Sequence, residues 1–148
     1  NKERILKPNF KKLKVHTEKD RNVGILKLFP GISEEFVRHA LRTPGLKAIV
    51  LETFGSGNAT TAPWFLDALK EAIDRGLIIL NITQCKGGSV EMGRYETSLD
   101  MARIGVVSGY DLTAEAAVAK LMYLMGEGLS KEKVIELLGV SIRGEMTK

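Results

Sequence analysis

Three short apolar runs set the rhythm of the chain: VGILKLF at residues 23–29, AIVLE at 48–52 and LIILNI at 77–82. They are rich in branched side chains and lack the strict alternation of a half-exposed strand, as do parallel strands covered on both faces. Between them the apolar positions recur at helical spacing. After Pro30-Gly31, Ser33 suits an N-cap, with Glu34 and Glu35 at the positive end of the helix dipole. Phe36, Val37, Ala40 and Leu41 then form one apolar face, with His39 on the solvent side, and Pro44-Gly45 stops the helix. Thr60 or Thr61 caps a second helix with Pro63 near its first position. Its buried stripe is Phe65, Leu66, Leu69, Ala72 and Ile73, and Gly76 is its C′ residue.

Residues 97–103 predict a short helix feeding a fourth strand at 105–108. Thr113 caps a helix over 114–125 with Ala117, Leu121, Leu124 and Met125 inward, ended by Gly126 and Gly128. Ser130 caps the last helix, 131–138, and residues 1–20 read as an irregular lead-in. This alternation predicts an α/β fold, a Rossmann-like three-layer sandwich with a roughly four-stranded parallel sheet flanked by helices.

Composition narrows the function classes. At 148 residues and 44% hydrophobic, the chain makes one ordinary domain with a real core. No apolar run approaches the ~20 residues of a membrane span, so no membrane role is expected. The net charge of +4 is unevenly placed: residues 1–21 hold eight basic and three acidic side chains, and the rest nets to −1. The basicity therefore belongs to an entry segment, and no aromatic interleaving supports stacking on nucleic acid. The lone Cys85 excludes an internal disulfide and fits a reducing compartment. His16 has no partner at metal-ligand spacing, and no metal site is expected.

Candidate chemistry gathers in two loops that follow strands. The first is Gly55-Ser56-Gly57-Asn58, where two glycines bracket a serine; the second is the long Gly-rich connection at residues 83–95. In open α/β sheets ligands sit beyond the carboxyl ends of strands, where both loops fall. No G-x-G-x-x-G and no P-loop lysine is present, which argues against dinucleotide binding and nucleotide hydrolysis. Ser56, Asn58, Thr83, Gln84 and Cys85 suit a small polar ligand rather than a catalytic engine. Asn58 serves equally well to close a turn on its own backbone. Trp64 reads as packing at a helix start or as a stacking surface.

TFGSGN (53–58), ILNITQCKGGSVEMGRY (79–95) and IRGEMT (142–147) together resemble the carboxyl-terminal domain of type I, cytoplasmic-type L-asparaginases. The similarity runs from about residue 23 to the end. It implies a cytoplasmic homo-oligomer, a dimer or tetramer of two-domain subunits. Such an enzyme hydrolyses L-asparagine to L-aspartate and ammonia, with no cofactor and no metal. It also implies a threonine nucleophile activated by a Lys–Asp pair in an amino-terminal domain, on TGGT and T-D…K motifs that are absent here. On that reading no catalytic residue lies in this chain. Residues 1–21 are an interdomain linker or lead-in, residues 22–148 are the carboxyl-terminal domain, and the chain alone is inactive.

Asn58 matches the loop asparagine that approaches substrate in a neighbouring subunit, and Ser56, Tyr95 and Glu96 accompany it as substrate-binding candidates. An effector site is implied at Glu52, Thr83 and Cys85, but Glu52 stands where that site has an arginine. A glutamate repels the carboxylate an arginine would grip, so activation by asparagine is expected to be weak or absent. Trp64, Met92 and Met101 are expected to be exposed in the isolated domain. The alternative reading is a non-catalytic regulatory α/β module that binds a small amino acid.

Overall fold

The computed structural model describes residues 15–93 and 96–147, with Glu96 through its backbone alone. The four strands are β1 (Val23–Lys27), β2 (Ala48–Thr53), β3 (Ile78–Thr83) and β4 (Val107–Ser108). They pair in parallel in the order β1-β2-β3-β4. The helices are α1 (Glu34–Leu41), α2 (Pro63–Asp74), α3 (Glu96–Arg103), α4 (Ala114–Gly126) and α5 (Lys131–Leu138). The expected three-layer α/β architecture is the one observed.

Sequential strand order means every crossover steps the same way across the sheet. Right-handed crossovers of one direction put their helices on one face. Accordingly Val37 and Leu41 of α1, Phe65 and Leu69 of α2 and Met101 of α3 pack with Ile49, Leu51 and Ile79 of the sheet. The opposite face is covered only after β4, when Leu121 and Leu124 of α4 and Val134 and Leu138 of α5 pack with Ala48, Val50, Leu80 and Ile82. Alternate residues of β2 thus enter different cores, which is why its apolar run is unbroken. Phe65 is fully buried, and truncating such a side chain to alanine costs about 3–5 kcal/mol.

The caps follow the local sequence. The hydroxyls of Ser33, Thr113 and Ser130 accept from the backbone N–H groups of Phe36, Ala116 and Lys133. At α2 neither threonine caps: Ala62 takes the cap position without a side-chain bond, and Thr60 accepts from Ala62 N instead. Pro63 has no N–H to satisfy, which lessens the need for a cap.

Other expectations are corrected. Paired β1 ends at Lys27, leaving Phe29 51% exposed, and β4 pairs at two residues rather than four. Phe36 is 55% exposed because Val37 and Leu41, one turn apart, define the inward line of α1 and turn Phe36 outward. Met101, expected at the surface, is fully buried between α3 and the sheet. Trp64 and Met92 are half-buried against the same core, with Trp64 edge-on to Phe65 at 5.7 Å.

The carboxyl-terminal tail is anchored by a buried ion pair. Lys120 Nζ on α4 lies 2.8 Å from Glu145 Oε1 and donates to the carbonyls of Leu138 and Val140 at 3.2 and 2.6 Å. Glu145 also accepts from the backbone N–H groups of Ile142 and Arg143. Burial raises the Glu145 carboxyl, but the Lys120 bond and the two amides outweigh it and hold the pKa at about 2. Further along, Thr147 donates through both its N–H and its hydroxyl to Asp111.

Candidate functional site

Both candidate loops leave the carboxyl ends of neighbouring strands. The first is a tight turn: Phe54 and Asn58 exchange backbone hydrogen bonds in both directions at 2.8 Å. Gly57 has a φ of 106°, and a Cβ there would stand 2.8 Å from Val90 Cγ1. Glycine is therefore demanded twice, by backbone conformation and by space.

Beneath the turn lie two fully buried polar residues, Thr53 and Asn81. The Thr53 hydroxyl donates to Asn81 Oδ1 at 2.7 Å. With that oxygen engaged, Asn81 Nδ2 is directed at the Gly57 carbonyl, 3.4 Å away, and at Met92 Sδ, 3.6 Å away. Because unmade polar bonds in a core are costly, this pair ties the turn to the sheet. Thr83 adds a second tie: its hydroxyl donates to the Gly55 carbonyl and accepts from Cys85 N–H. A third comes from the backbone, where Glu91 N–H donates to the Ser56 carbonyl at 3.0 Å.

Asn58 is half-buried, and its side chain meets α3: Thr97 Oγ1 donates to Asn58 Oδ1 at 3.0 Å. Ser56 sits in the same turn. Tyr95 lies outside the described residues, as does the side chain of Glu96, although the Glu96 backbone opens α3 within one residue of Thr97.

Glu52, Thr83 and Cys85 converge on a different feature, a cleft of about 440 Å³ beyond the ends of β1–β3. Lys27, Lys86, Asp111 and Glu115 complete its charged lining. Lys27 Nζ stands 3.7 Å from Glu52 Oε2, so the glutamate has a cation of its own strand neighbourhood beside it. Gln84 also lines the cleft and donates to the Leu28 and Glu52 carbonyls at 2.7 and 2.9 Å. Thr83 belongs to both features, facing the cleft and holding Gly55.

Neither histidine lines this cleft, so Cys85 has no imidazole there to activate it. His16 Nδ1 instead lies 2.7 Å from Glu127 Oε1, and His39 bonds the Glu35 carbonyl on α1. Among the described residues no cluster of His, Cys, Asp or Glu could hold a metal ion, and no helix is long and apolar enough to cross a membrane.

Several participants escaped sequence reasoning. Asn81 was visible as the one polar residue in LIILNI, yet nothing in that run said that it supports a loop 24 positions away. Thr97, just past the second loop, is brought to Asn58 of the first only by the fold, and Lys27, Asp111 and Glu115 lie far from both loops in sequence.

Residues 22–138 match the family model of the glutaminase/asparaginase C-terminal domain. The human 60 kDa lysophospholipase is 48% identical over 136 residues, covering 91% of this chain and 23% of that protein. L-asparaginase 1 of Escherichia coli K12 is 41% identical over 133 residues, covering 90% of this chain and 39% of the enzyme. The crystal structure of L-asparaginase I from Vibrio cholerae superposes with a TM-score of 0.86 at 45% identity, over 94% of this chain and 42% of that one. The chain thus spans less than half the length of each. A domain of parallel β-α units, a GSGN turn held from beneath and a match over residues 22–138 lead to one assignment: the chain belongs to the glutaminase/asparaginase C-terminal domain family.

Proposed function

We propose that residues 22–148 are the carboxyl-terminal domain of a type I L-asparaginase, a cytoplasmic enzyme that hydrolyses L-asparagine to L-aspartate and ammonia. Residues 1–21 link this domain to an amino-terminal domain that carries the catalytic threonines and needs no cofactor. The present domain supplies contacts in a homo-oligomer, and Asn58, with Ser56, Tyr95 and Glu96, completes the substrate site of a neighbouring subunit. The observation that carries this reading is the Asn58 turn itself, tied by Asn81, Thr83 and Glu91 at a strand end in a chain of this family. A loop so restrained can present one carboxamide in a constant place, as a binding contact requires.

The cleft at Glu52, Thr83 and Cys85 is proposed as the remnant of an effector site. Its Lys27–Glu52 pairing leaves no guanidinium fork for a ligand carboxylate. The same cleft supports the second reading, a regulatory module binding a small zwitterion, since cations and carboxylates both line it. Lipid hydrolysis, suggested by the name of the human relative, finds less support in a cleft that carries the charged side chains of Lys27, Glu52, Lys86, Asp111 and Glu115.

The test is ammonia release from L-asparagine by three proteins: the 148-residue chain, the complete chain, and the complete chain carrying Asn58→Ala. Activity confined to the complete chain and reduced by Asn58→Ala supports the proposal. Activity in the 148-residue chain alone, or release of fatty acid from a lysophospholipid without ammonia release, overturns it.

A further inference from the structure

A carboxamide has a donor end and an acceptor end, and rotating χ2 by half a turn exchanges them. Two-way hydrogen bonding with Phe54 fixes the Asn58 backbone, so the side-chain torsions alone decide which end a ligand meets. The group that bears on them is Thr97, in the first turn of α3 and 39 positions away, with its Oγ1 3.0 Å from Asn58 Oδ1.

A threonine hydroxyl can donate or accept, so the contact distance alone does not choose the orientation. The helix does. The first turn of a helix carries unpaired N–H groups and the positive end of its dipole. The negative end of the amide, Oδ1, is favoured toward α3, and the positive NH2 end is repelled from it. Thr97 then donates, Oδ1 is occupied, and Nδ2 lies on the far side of Cγ, turned away from α3.

We infer that Thr97 is a positioning residue that locks the Asn58 carboxamide with its NH2 outward, making Asn58 a hydrogen-bond donor to an acceptor oxygen of the bound amino acid. This rests on the reading of Asn58 as a substrate contact. It adds what that reading leaves open: the polarity of the contact and the residue that sets it. A ligand oxygen, carboxylate or carbonyl, satisfies the site, whereas an ammonium group at the same place does not. The hydroxyl matters rather than the bulk of Thr97, because the hydroxyl is what distinguishes the two amide orientations.

The experiment is steady-state kinetics with L-asparagine on the complete enzyme carrying Thr97→Val, Thr97→Ser, Asn58→Ala, Asn58→Asp or Thr97→Val with Asn58→Ala. Loss of one neutral hydrogen bond predicts that Thr97→Val raises KM about 2- to 10-fold, with kcat nearly unchanged. Thr97→Ser retains the wild-type KM. In the Asn58→Ala background Thr97→Val has no further effect, since its action passes through the missing carboxamide. Asn58→Asp, with only acceptors to offer, binds no better than Asn58→Ala.

An unchanged KM in Thr97→Val beside a raised KM in Asn58→Ala overturns the positioning role and leaves the Asn58 reading intact. Additive effects in the double variant do the same, as they would mark a structural role for Thr97. Wild-type KM in Asn58→Asp overturns the donor assignment. If Asn58→Ala itself has wild-type kinetics, the Asn58 reading falls and this inference falls with it.

Discussion

Replacing Glu145 by glutamine should destabilise the fold far more than a change at a tail residue ordinarily would. Its carboxylate faces Lys120, whose side chain is 3% exposed, and is itself only 15% exposed. The substitution keeps the shape of the side chain but leaves Lys120 Nζ among neutral carbonyls and the Met146 sulfur. Two estimates of the cost agree. Breaking one partner of a buried pair costs about 3–5 kcal/mol. Independently, a pKa held at about 2 rather than 4.5 corresponds to roughly 3 kcal/mol of folded-state preference for the charged form.

The sign follows from the depression of the folded pKa. The stabilisation is complete above about pH 4.5 and is lost as pH falls toward 2. Urea unfolding of the 148-residue chain at pH 7 should therefore show Glu145→Gln about 3 kcal/mol less stable, and its Tm lower by ~6–12 °C. Between pH 4.5 and 2.5 the wild type should lose stability more steeply than the variant. Adding Lys120→Met to the glutamine variant should recover much of the loss, because no buried charge is then left alone. A Glu145→Gln chain within about 1 kcal/mol of wild type at pH 7, with a parallel pH profile, would refute the reasoning.

Gly57→Ala should distort the Gly55–Asn58 turn while sparing the global fold, since its Cβ would meet Val90 at 2.8 Å on a backbone with positive φ. Crystal structures or amide exchange should show the change confined to residues 54–58 and 90, and wild-type asparagine kinetics would count against the turn as a binding element. On the proposed assignment, velocity of the complete chain against asparagine concentration should be hyperbolic, because Glu52 puts a carboxylate rather than a guanidinium in the cleft. Sigmoidal kinetics abolished by Cys85→Ser would restore the effector site.

The elements were largely legible because each rests on a local signal. Unbroken branched runs gave β2 and β3, Ser33, Thr113 and Ser130 marked three helix starts, and glycines marked the stops. Errors fell where a local pattern permits two outcomes. Phe36 fits the apolar face of α1 by spacing, yet only the contact between α1 and α2 shows that Val37 and Leu41 set the buried line. Met101 lies in a polar-looking segment, and only the closing of α3 over the sheet buries it.

The candidate site divides in the same way. The turn was written in the residues themselves: two glycines and a following asparagine at the end of an apolar strand dictate a tight loop. It determined the family too, since three separated motifs in fixed order carry more information than any single turn. The tertiary structure alone decided what those residues face. Thr97 reaches Asn58, Asn81 supports Gly57, and Lys27 neighbours Glu52 across distances of 39, 24 and 25 positions that no local rule connects. The reason is physical. Backbone propensity acts over a few residues, whereas the polarity of a carboxamide and the charge of a cleft depend on whichever groups parallel packing brings within about 3–4 Å.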